Sequence, residues 1–147
     1  KLSNKANLQV LHEDNHIIII NKRVGDIVQG DITGDKPLSE VVKEYLKIKY
    51  QKPGNVYLGV VHRLDRPTSG IVIFAKTSKV LSRLNKMFVD KNIGKTYWAI
   101  VKNKPNLRGK AKPVLIPMLQ LISALSNSRI IECLARVRVR RPRLENA

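Results

Sequence analysis

One short polar segment, residues 62–70, carries most of the side chains in this sequence that could do chemistry. It reads His-Arg-Leu-Asp-Arg-Pro-Thr-Ser-Gly and lies between two apolar runs. Arg63 and Arg66 flank Asp65 in the sequence, and opposite charges nearby hold a carboxyl group ionised. An ionised, oriented carboxylate can act as a nucleophile or as a general base. The same pattern also fits a solvated turn with a surface salt bridge, so spacing alone leaves both interpretations open.

The elements around this segment predict a mixed α/β or α+β domain. Residues 8–20 and 56–61 are apolar, β-branched runs that predict strands. Residues 71–75 predict a strand buried on both faces, and residues 95–101 alternate as a further strand.

Two amphipathic helices are predicted between these strands. The first follows Asp35 as its cap and has one apolar stripe, formed by Leu38, Val41, Val42, Tyr45 and Leu46. The second begins near Thr77 or Ser78 and has a stripe formed by Val80, Leu81, Leu84, Met87 and Phe88.

The charge balance points to a polyanionic partner. The 147 residues include 28 Lys and Arg against 11 Asp and Glu, a net charge of +17. Nucleic acid is the commonest such partner, and an acidic membrane surface or an acidic protein is the alternative. The single Cys excludes an internal disulfide and a multi-Cys zinc site. No apolar run is long enough to cross a membrane and no secretion signal is recognised, so we expect a cytoplasmic protein.

Residues 62–70 resemble the signature H-R-L-D-R-x-T-S-G of the RluA family of RNA pseudouridine synthases. Residues 95–101 are similar to the K-x-Y-x-A-x-V element of that family. Residues 12–25 resemble its opening strand and K-P-x-G turn, with Arg23 in place of the Pro. The resemblance covers roughly residues 8–104. It implies an α+β fold with a pseudouridine synthase-like, mostly antiparallel sheet flanked by helices.

The resemblance also implies an activity, the isomerisation of specific uridines in ribosomal or transfer RNA. The uridine is extruded into a pocket, and Asp65 attacks the sugar or assists loss of the base, which rotates and rejoins through carbon. Tyr97 would stack on the base or orient it, and Arg63 would fill the gap in the RNA or bind a phosphate. The remaining expected substrate-binding residues are His62, Arg66 and Thr68. No metal and no cofactor are expected, because bonds break and form within one bound nucleotide.

Basic residues near the second helix are candidates for contacts with the RNA backbone. Such contacts position a nucleic acid without specifying its sequence. The candidates are Lys76, Lys79, Arg83 and Lys86. At each position an ordinary solvated side chain is the alternative.

The last third of the sequence departs from the family. Residues 101–147 carry 11 basic and 2 acidic groups, and nothing in residues 105–147 matches the L-x-T-G-R-x-H-Q-I-R element that the resemblance leads one to expect. In the family, the first Arg of that element pairs with the catalytic Asp. Arg alternating with Val at residues 136–140 predicts an edge strand with a charged face, or a basic arm that orders on RNA.

A further hypothesis is that the chain from about residue 106 is not the native continuation, as a shifted reading frame would produce. We therefore divide the chain into residues 1–104, the N-terminal portion of a catalytic domain, and residues 105–147, an atypical basic segment. The sheet is then expected to be incomplete at its C-terminal end.

Three hypotheses about function follow. The first is a monomeric RNA pseudouridine synthase, and the second is a catalytically inactive, truncated RNA-binding remnant of the same family. The third, a basic DNA-binding protein, has little support because no recognition-helix signature is present. Release of the uracil C5 proton separates the first two.

Overall fold

The computed structural model of the chain describes residues 2–101 and 130–139, with residues 98–101 and 130–139 described by their backbone alone. These residues form one sheet with two helices. In chain order the elements are β1 (Val10–Glu13), β2 (Ile17–Lys22), α1 (Leu38–Lys49), β3 (Gly59–Val60), β4 (Thr68–Ala75), α2 (Ser78–Val89), β5 (Ile93–Val101) and β6 (Ile130–Val139). The strand order is β1-β2-β4-β6-β5, and β3 pairs with β4. All pairs are antiparallel except β4 with β6, so the predicted mostly antiparallel α+β fold is confirmed.

The core lies between the central strands and α1. In β2, every second residue is buried, so Ile18 and Ile20 face the core. They meet Val72 and Phe74 of β4, which are also fully buried. This packing fixes the register of β4 against β2. It therefore also fixes the position of the polar segment that precedes β4.

Helix α1 contributes the predicted apolar stripe, with Leu38, Val42 and Leu46 in the core and Tyr45 half-buried against it. The predicted Asp35 cap is wrong, because Pro37 occupies the cap position without a side-chain hydrogen bond. The first-turn N–H groups of Leu38 and Ser39 instead donate to the carbonyl oxygens of Ile27 (2.7 Å) and Val28 (3.2 Å). The helix start is therefore joined to the chain segment 27–28.

The outer edge of β4 is shared between two partners. β3 pairs with Phe74 and Ala75, and β6 pairs with residues 68–70. The strand predicted at residues 56–61 is only two residues long, and the N–H of Ile73, the next residue of β4, donates to the His62 side chain. β6 lies between β4 and β5, but among the described residues β4 pairs only with residues 133–135 of it, whereas residues 136–139, which carry the Arg-Val pattern, pair with β5 alone. The edge-strand alternative for that pattern stays a prediction. The other residues of the predicted basic segment, 105–129 and 140–147, lie outside the described residues.

Helix α2 covers β3 and β4 on the side of Leu81. Its N-cap is Thr77, whose Oγ1 accepts the N–H of Val80 at 3.3 Å, as predicted. The apolar stripe is half-buried rather than buried. A Cβ added at Gly59 would lie 2.9 Å from a methyl carbon of Leu81, so β3 and α2 approach closely only because residue 59 is glycine.

Candidate active site

Asp65 lies in the wall of a pocket at the end of the sheet where β2 ends and β4 begins. The pocket has a volume of about 220 Å³. It is lined by the two segments 27–31 and 63–66. Asp65 and Arg63 are both exposed, and among the described residues neither side chain has a hydrogen bond or ion pair. A larger groove of about 340 Å³ lies on the exposed side of α1 and contains none of the predicted site residues.

The backbone that carries Asp65 is held from below by Lys22, a residue that the sequence analysis did not select. Lys22 is 1% exposed, and its Nζ donates to the carbonyl oxygens of Thr68 (2.6 Å), Arg23 (3.1 Å) and Arg66 (3.3 Å). Three acceptors match the three N–H bonds of an ammonium group. Burial lowers the pKa of Lys22 to about 8, although the charges of Asp26 and Asp65 act in the opposite direction. The ammonium therefore remains charged at neutral pH and contributes positive potential beneath Asp65.

The turn after Lys22 accommodates Arg23, which stands where the family resemblance leads one to expect Pro. The N–H of Arg23, which a proline would lack, donates to Oδ2 of Asp26 at 3.3 Å. Asp26 also accepts from the N–H and the Oγ of Ser3, and Gly25 donates its N–H to the carbonyl oxygen of Arg66 at 2.8 Å. The substitution thus adds a hydrogen bond to the turn that holds the Asp65 segment.

The guanidinium of Arg66 contacts the loop before α1. Its Nη2 lies 2.7 Å from Oδ2 of Asp35, 3.0 Å from Oγ1 of Thr33 and 3.8 Å from Oδ2 of Asp31. Arg66 was predicted to bind substrate. Its guanidinium joins two walls of the pocket in this structure, and its predicted contact with substrate stays a prediction.

Thr68 and His62 lie on the protein side of the segment. Thr68 is 1% exposed, and its N–H donates to the carbonyl oxygen of Asp65 at 3.0 Å, which closes the turn. The Nε2 of His62 accepts the N–H of Ile73 at 3.2 Å, and its ring packs on Phe88 with 5.2 Å between centroids. Burial, and to a lesser extent the charge of Lys95, lower the pKa of His62 to about 4. Both residues support the segment from within, and their predicted contact with substrate stays a prediction.

Tyr97 and the end of the motif share one row of the sheet. Lys22 pairs with Gly70, Gly70 pairs with Ala135, and Ala135 pairs with Tyr97. Two strand spacings of about 4.8 Å put Tyr97 about 10 Å from Gly70. Gly70 has φ of +131°, a conformation that side chains with a Cβ rarely adopt, so the last motif position requires glycine. The structure thus brings Tyr97 to the same end of the sheet as Asp65.

The predicted RNA-backbone residues fall into two groups. Lys79, Arg83 and Lys86 are exposed on α2. Lys76, in contrast, is bound within the protein: its Nζ lies 2.6 Å from the carbonyl oxygen of Asp14 and 3.1 Å from Oε1 of Glu13. Lys76 thus has partners within the protein, and its predicted contact with the RNA backbone stays a prediction.

Comparison with known sequences identifies the family. The sequence model of the family described as RNA pseudouridylate synthase matches residues 16–132, which is more than half of the chain. The chain belongs to this family. The resemblance to the RluA family is thereby confirmed, and the match extends beyond the predicted domain boundary at residue 104, which itself stays a prediction.

Curated relatives carry consistent names. The chain is 36% identical over 117 residues to the ribosomal large subunit pseudouridine synthase C of Buchnera aphidicola subsp. Baizongia pistaciae, covering 78% of this chain and 35% of the relative. It is 34% identical over 95 residues to the tRNA pseudouridine synthase C of Vibrio cholerae, covering 65% of this chain and 37% of that protein. The chain thus spans little more than a third of the length of these relatives.

A solved structure agrees with the fold. Human RNA Pseudouridylate Synthase Domain Containing 4 superposes with a TM-score of 0.57 at 27% identity, covering 66% of this chain and 35% of that chain. Within residues 2–101, where side chains are described almost throughout, no group of three or more His, Cys, Asp or Glu side chains could hold a metal ion. None of the helices in the described part of the chain could span a membrane.

Proposed function

We propose that this chain carries the catalytic centre of an RNA pseudouridine synthase and that Asp65 is its catalytic residue. The observation that supports this most directly is the exposed Asp65 carboxylate in the wall of a pocket, on a backbone tied down by Lys22 and Thr68. The fixed backbone limits the positions that the Asp65 carboxylate can take, which reduces the entropic cost of reaction. Family membership supplies the reaction for which such a carboxylate is used.

The reaction exchanges one bond for another within a single nucleotide. The target uridine leaves the RNA stack and places its base in the Asp65 pocket. Asp65 acts on the sugar carbon that bears the base, the C–N bond breaks, and the uracil turns within the pocket. A C–C bond then forms between that sugar carbon and C5 of the base, the C5 proton passes to water, and the released N1 takes up one proton from water. No electrons are gained or lost overall, so the reaction has no need for a redox cofactor.

The residues around Asp65 include basic side chains that can bind RNA phosphates and one aromatic side chain that can stack on a base. Arg63 lies at the pocket wall, exposed, and can meet a phosphate or occupy the space that the extruded base leaves. Tyr97 lies on the row of the sheet that leads to the site and is suited to stack on the base. Lys79, Arg83 and Lys86 offer further positive charge to the RNA backbone. The proposed substrate site also includes His62 and Thr68, which lie on the interior side of the segment that carries Asp65.

The proposal includes the class of substrate. Relatives are named for ribosomal and for transfer RNA, so we infer that one of these two is the substrate. Action as a monomer in the cytoplasm is part of the same proposal.

The test is tritium release from cellular RNA labelled with [5-³H]uridine. The 147-residue chain should release tritium to water, and the isosteric variant Asp65→Asn should release none above background. Asp90→Asn is the matched control, because Asp90 is an exposed carboxylate at the end of α2. Circular dichroism should show the same fold in all three proteins. Equal release by the chain and Asp65→Asn would refute the role of Asp65. Absence of release from the folded chain would favour the inactive, RNA-binding remnant.

A further inference from the structure

The loop formed by residues 29–35, here called the acidic loop, has a tip that no part of the proposed mechanism uses. Ile32 is 104% exposed, although the chain enters the loop from Val28, which is buried. Single exposed apolar residues are common on protein surfaces and need no explanation by themselves. Ile32 differs in its place: residues 29–31, immediately before it, line the same pocket as Asp65.

The acidic loop is tied to the segment that carries Asp65. The guanidinium of Arg66 contacts Asp35, Thr33 and Asp31 on both sides of the tip. The carbonyl oxygen of Arg66 is in turn held by the N–H of Gly25 and the ammonium of Lys22. A tip joined in this way keeps a defined position relative to the Asp65 carboxylate. Gly34, with φ of +73°, provides the reversal that turns the chain back after the tip.

The charge of the acidic loop decides which part of an RNA it can meet. The loop carries Asp31 and Asp35, and Arg66 supplies one compensating charge, in a protein with a net charge of +17. The net charge attracts phosphates to the protein as a whole, but the two carboxylates of the acidic loop repel them. An apolar tip between two carboxylates is therefore suited to an uncharged, flat surface, which in RNA is the face of a base.

We propose that Ile32 packs against the base next to the target uridine and so helps to hold the RNA open around the extruded nucleotide. This inference rests on the proposed function and adds a recognition element to the same site. Apolar side chains placed between bases are a known means of opening a nucleic-acid stack. The contact favours sites where the target uridine and the base next to it separate easily. Ile32 therefore influences which uridines are modified.

The test combines activity with a contact map that does not depend on activity. The variants are Ile32→Ser, which removes the apolar surface, and Ile32→Leu, which retains it. The matched control is Ile48→Ser, since Ile48 is 59% exposed near the end of α1 that lies beside Glu13, away from the pocket. Tritium release is measured at limiting labelled RNA. In parallel, RNA containing 4-thiouridine is cross-linked to the chain, and the tryptic peptide spanning residues 24–43 is examined by mass spectrometry.

We expect Ile32→Ser to release tritium about tenfold more slowly, which corresponds to about 1.4 kcal/mol, while Ile32→Leu and Ile48→Ser stay within twofold of the original chain. The cross-link to residues 24–43 should form and should weaken in Ile32→Ser. If the chain is active and Ile32→Ser matches Ile48→Ser, the inference is overturned and the proposed function stands. If the chain releases no tritium, the proposed function fails for this chain, and the cross-link alone decides. An absent cross-link would then overturn the inference as well.

Discussion

Replacing Lys22 by methionine should destabilise the protein, because Lys22 is the one lysine that is fully buried among the described residues. The ammonium of Lys22 is buried and donates to three carbonyl oxygens, two of which belong to the segment around Asp65. Methionine has a similar length and apolar stem, so the variant removes the donor and leaves the packing largely unchanged. Lys22→Met therefore isolates the contribution of the hydrogen bonds.

The magnitude follows from the three distances. Loss of the 2.6 Å bond leaves the Thr68 oxygen without its buried donor, at a cost of about 1–3 kcal/mol. The bonds to Arg23 and Arg66, at 3.1 and 3.3 Å, contribute about 0.5–1 kcal/mol each. Removal of a buried charge offsets part of this loss. We expect a net decrease of about 2–4 kcal/mol in the free energy of unfolding, or about 6–16 °C in Tm for a chain of this size.

The assay is urea and thermal unfolding followed by circular dichroism, with Lys47→Met as the control. Lys47 is exposed on α1, and its replacement should change the free energy of unfolding by less than about 0.5 kcal/mol. If Lys22→Met costs no more than Lys47→Met, the carbonyl oxygens do not depend on the ammonium and the reasoning is refuted.

The pH dependence provides a second check on Lys22. The folded protein releases the Lys22 proton near pH 8, whereas the unfolded chain retains it to the ordinary pKa of 10.5. Between these values the unfolded chain binds more protons, so this lysine makes stability rise with pH. The rise should appear as a difference between the original chain and Lys22→Met. A difference that is flat between pH 8 and pH 10 would show that Lys22 is not desolvated.

Two further predictions concern groups away from Asp65. Because the pKa of His62 is depressed to about 4, stability should fall as pH decreases from 6.5 to 4, by up to about 3 kcal/mol. His62→Gln should abolish this component in acid unfolding curves, and an unchanged profile would contradict the buried, neutral imidazole. At the other end of the sheet, burial of Glu13 raises its pKa, but hydrogen bonds from Lys49, Tyr50 and Lys76 outweigh burial and lower it to about 2. Glu13→Gln should therefore cost about 1–2 kcal/mol at pH 7. This loss should disappear as pH falls from 4.5 toward 2, whereas the exposed Glu40→Gln control should change stability little at any pH.

The sequence predicted the local elements well because their patterns depend on near neighbours. The apolar stripe of α1 and the Thr77 cap of α2 both follow from spacing within a few residues. The same rule could have revealed Lys22. The alternation that buries Ile18 and Ile20 continues to residue 22, so the lysine lies on the core face of β2. A charged residue at the end of a buried alternation indicates a cation with internal partners.

Other features depended on contacts that no local pattern contains. Asp35 has the residue type of a helix cap, but Arg66, 31 residues later in the chain, takes its carboxylate. The Arg-Val pattern of β6 is typical of a strand with one charged face and does not show which strands will flank it. Asp65 could be selected because it lies in a local motif. The acidic loop could not, because its place at the pocket depends on contacts with residues distant in the sequence.

The place of β6 in the sheet has a consequence for the order in which the protein assembles. β6 is the last described strand to be synthesised, yet it lies between β4 and β5, and Gly70 finds its partner in Ala135. Contacts so distant in sequence form slowly, because the entropic cost of closing a long loop precedes the stabilisation that the strand pairing provides. Until residue 139 has left the ribosome, β5 and the first part of β4 lack the partner that β6 provides in the described part of the chain. Nascent chains should therefore be most prone to aggregation, and most dependent on chaperones, between the synthesis of β5 and the arrival of β6.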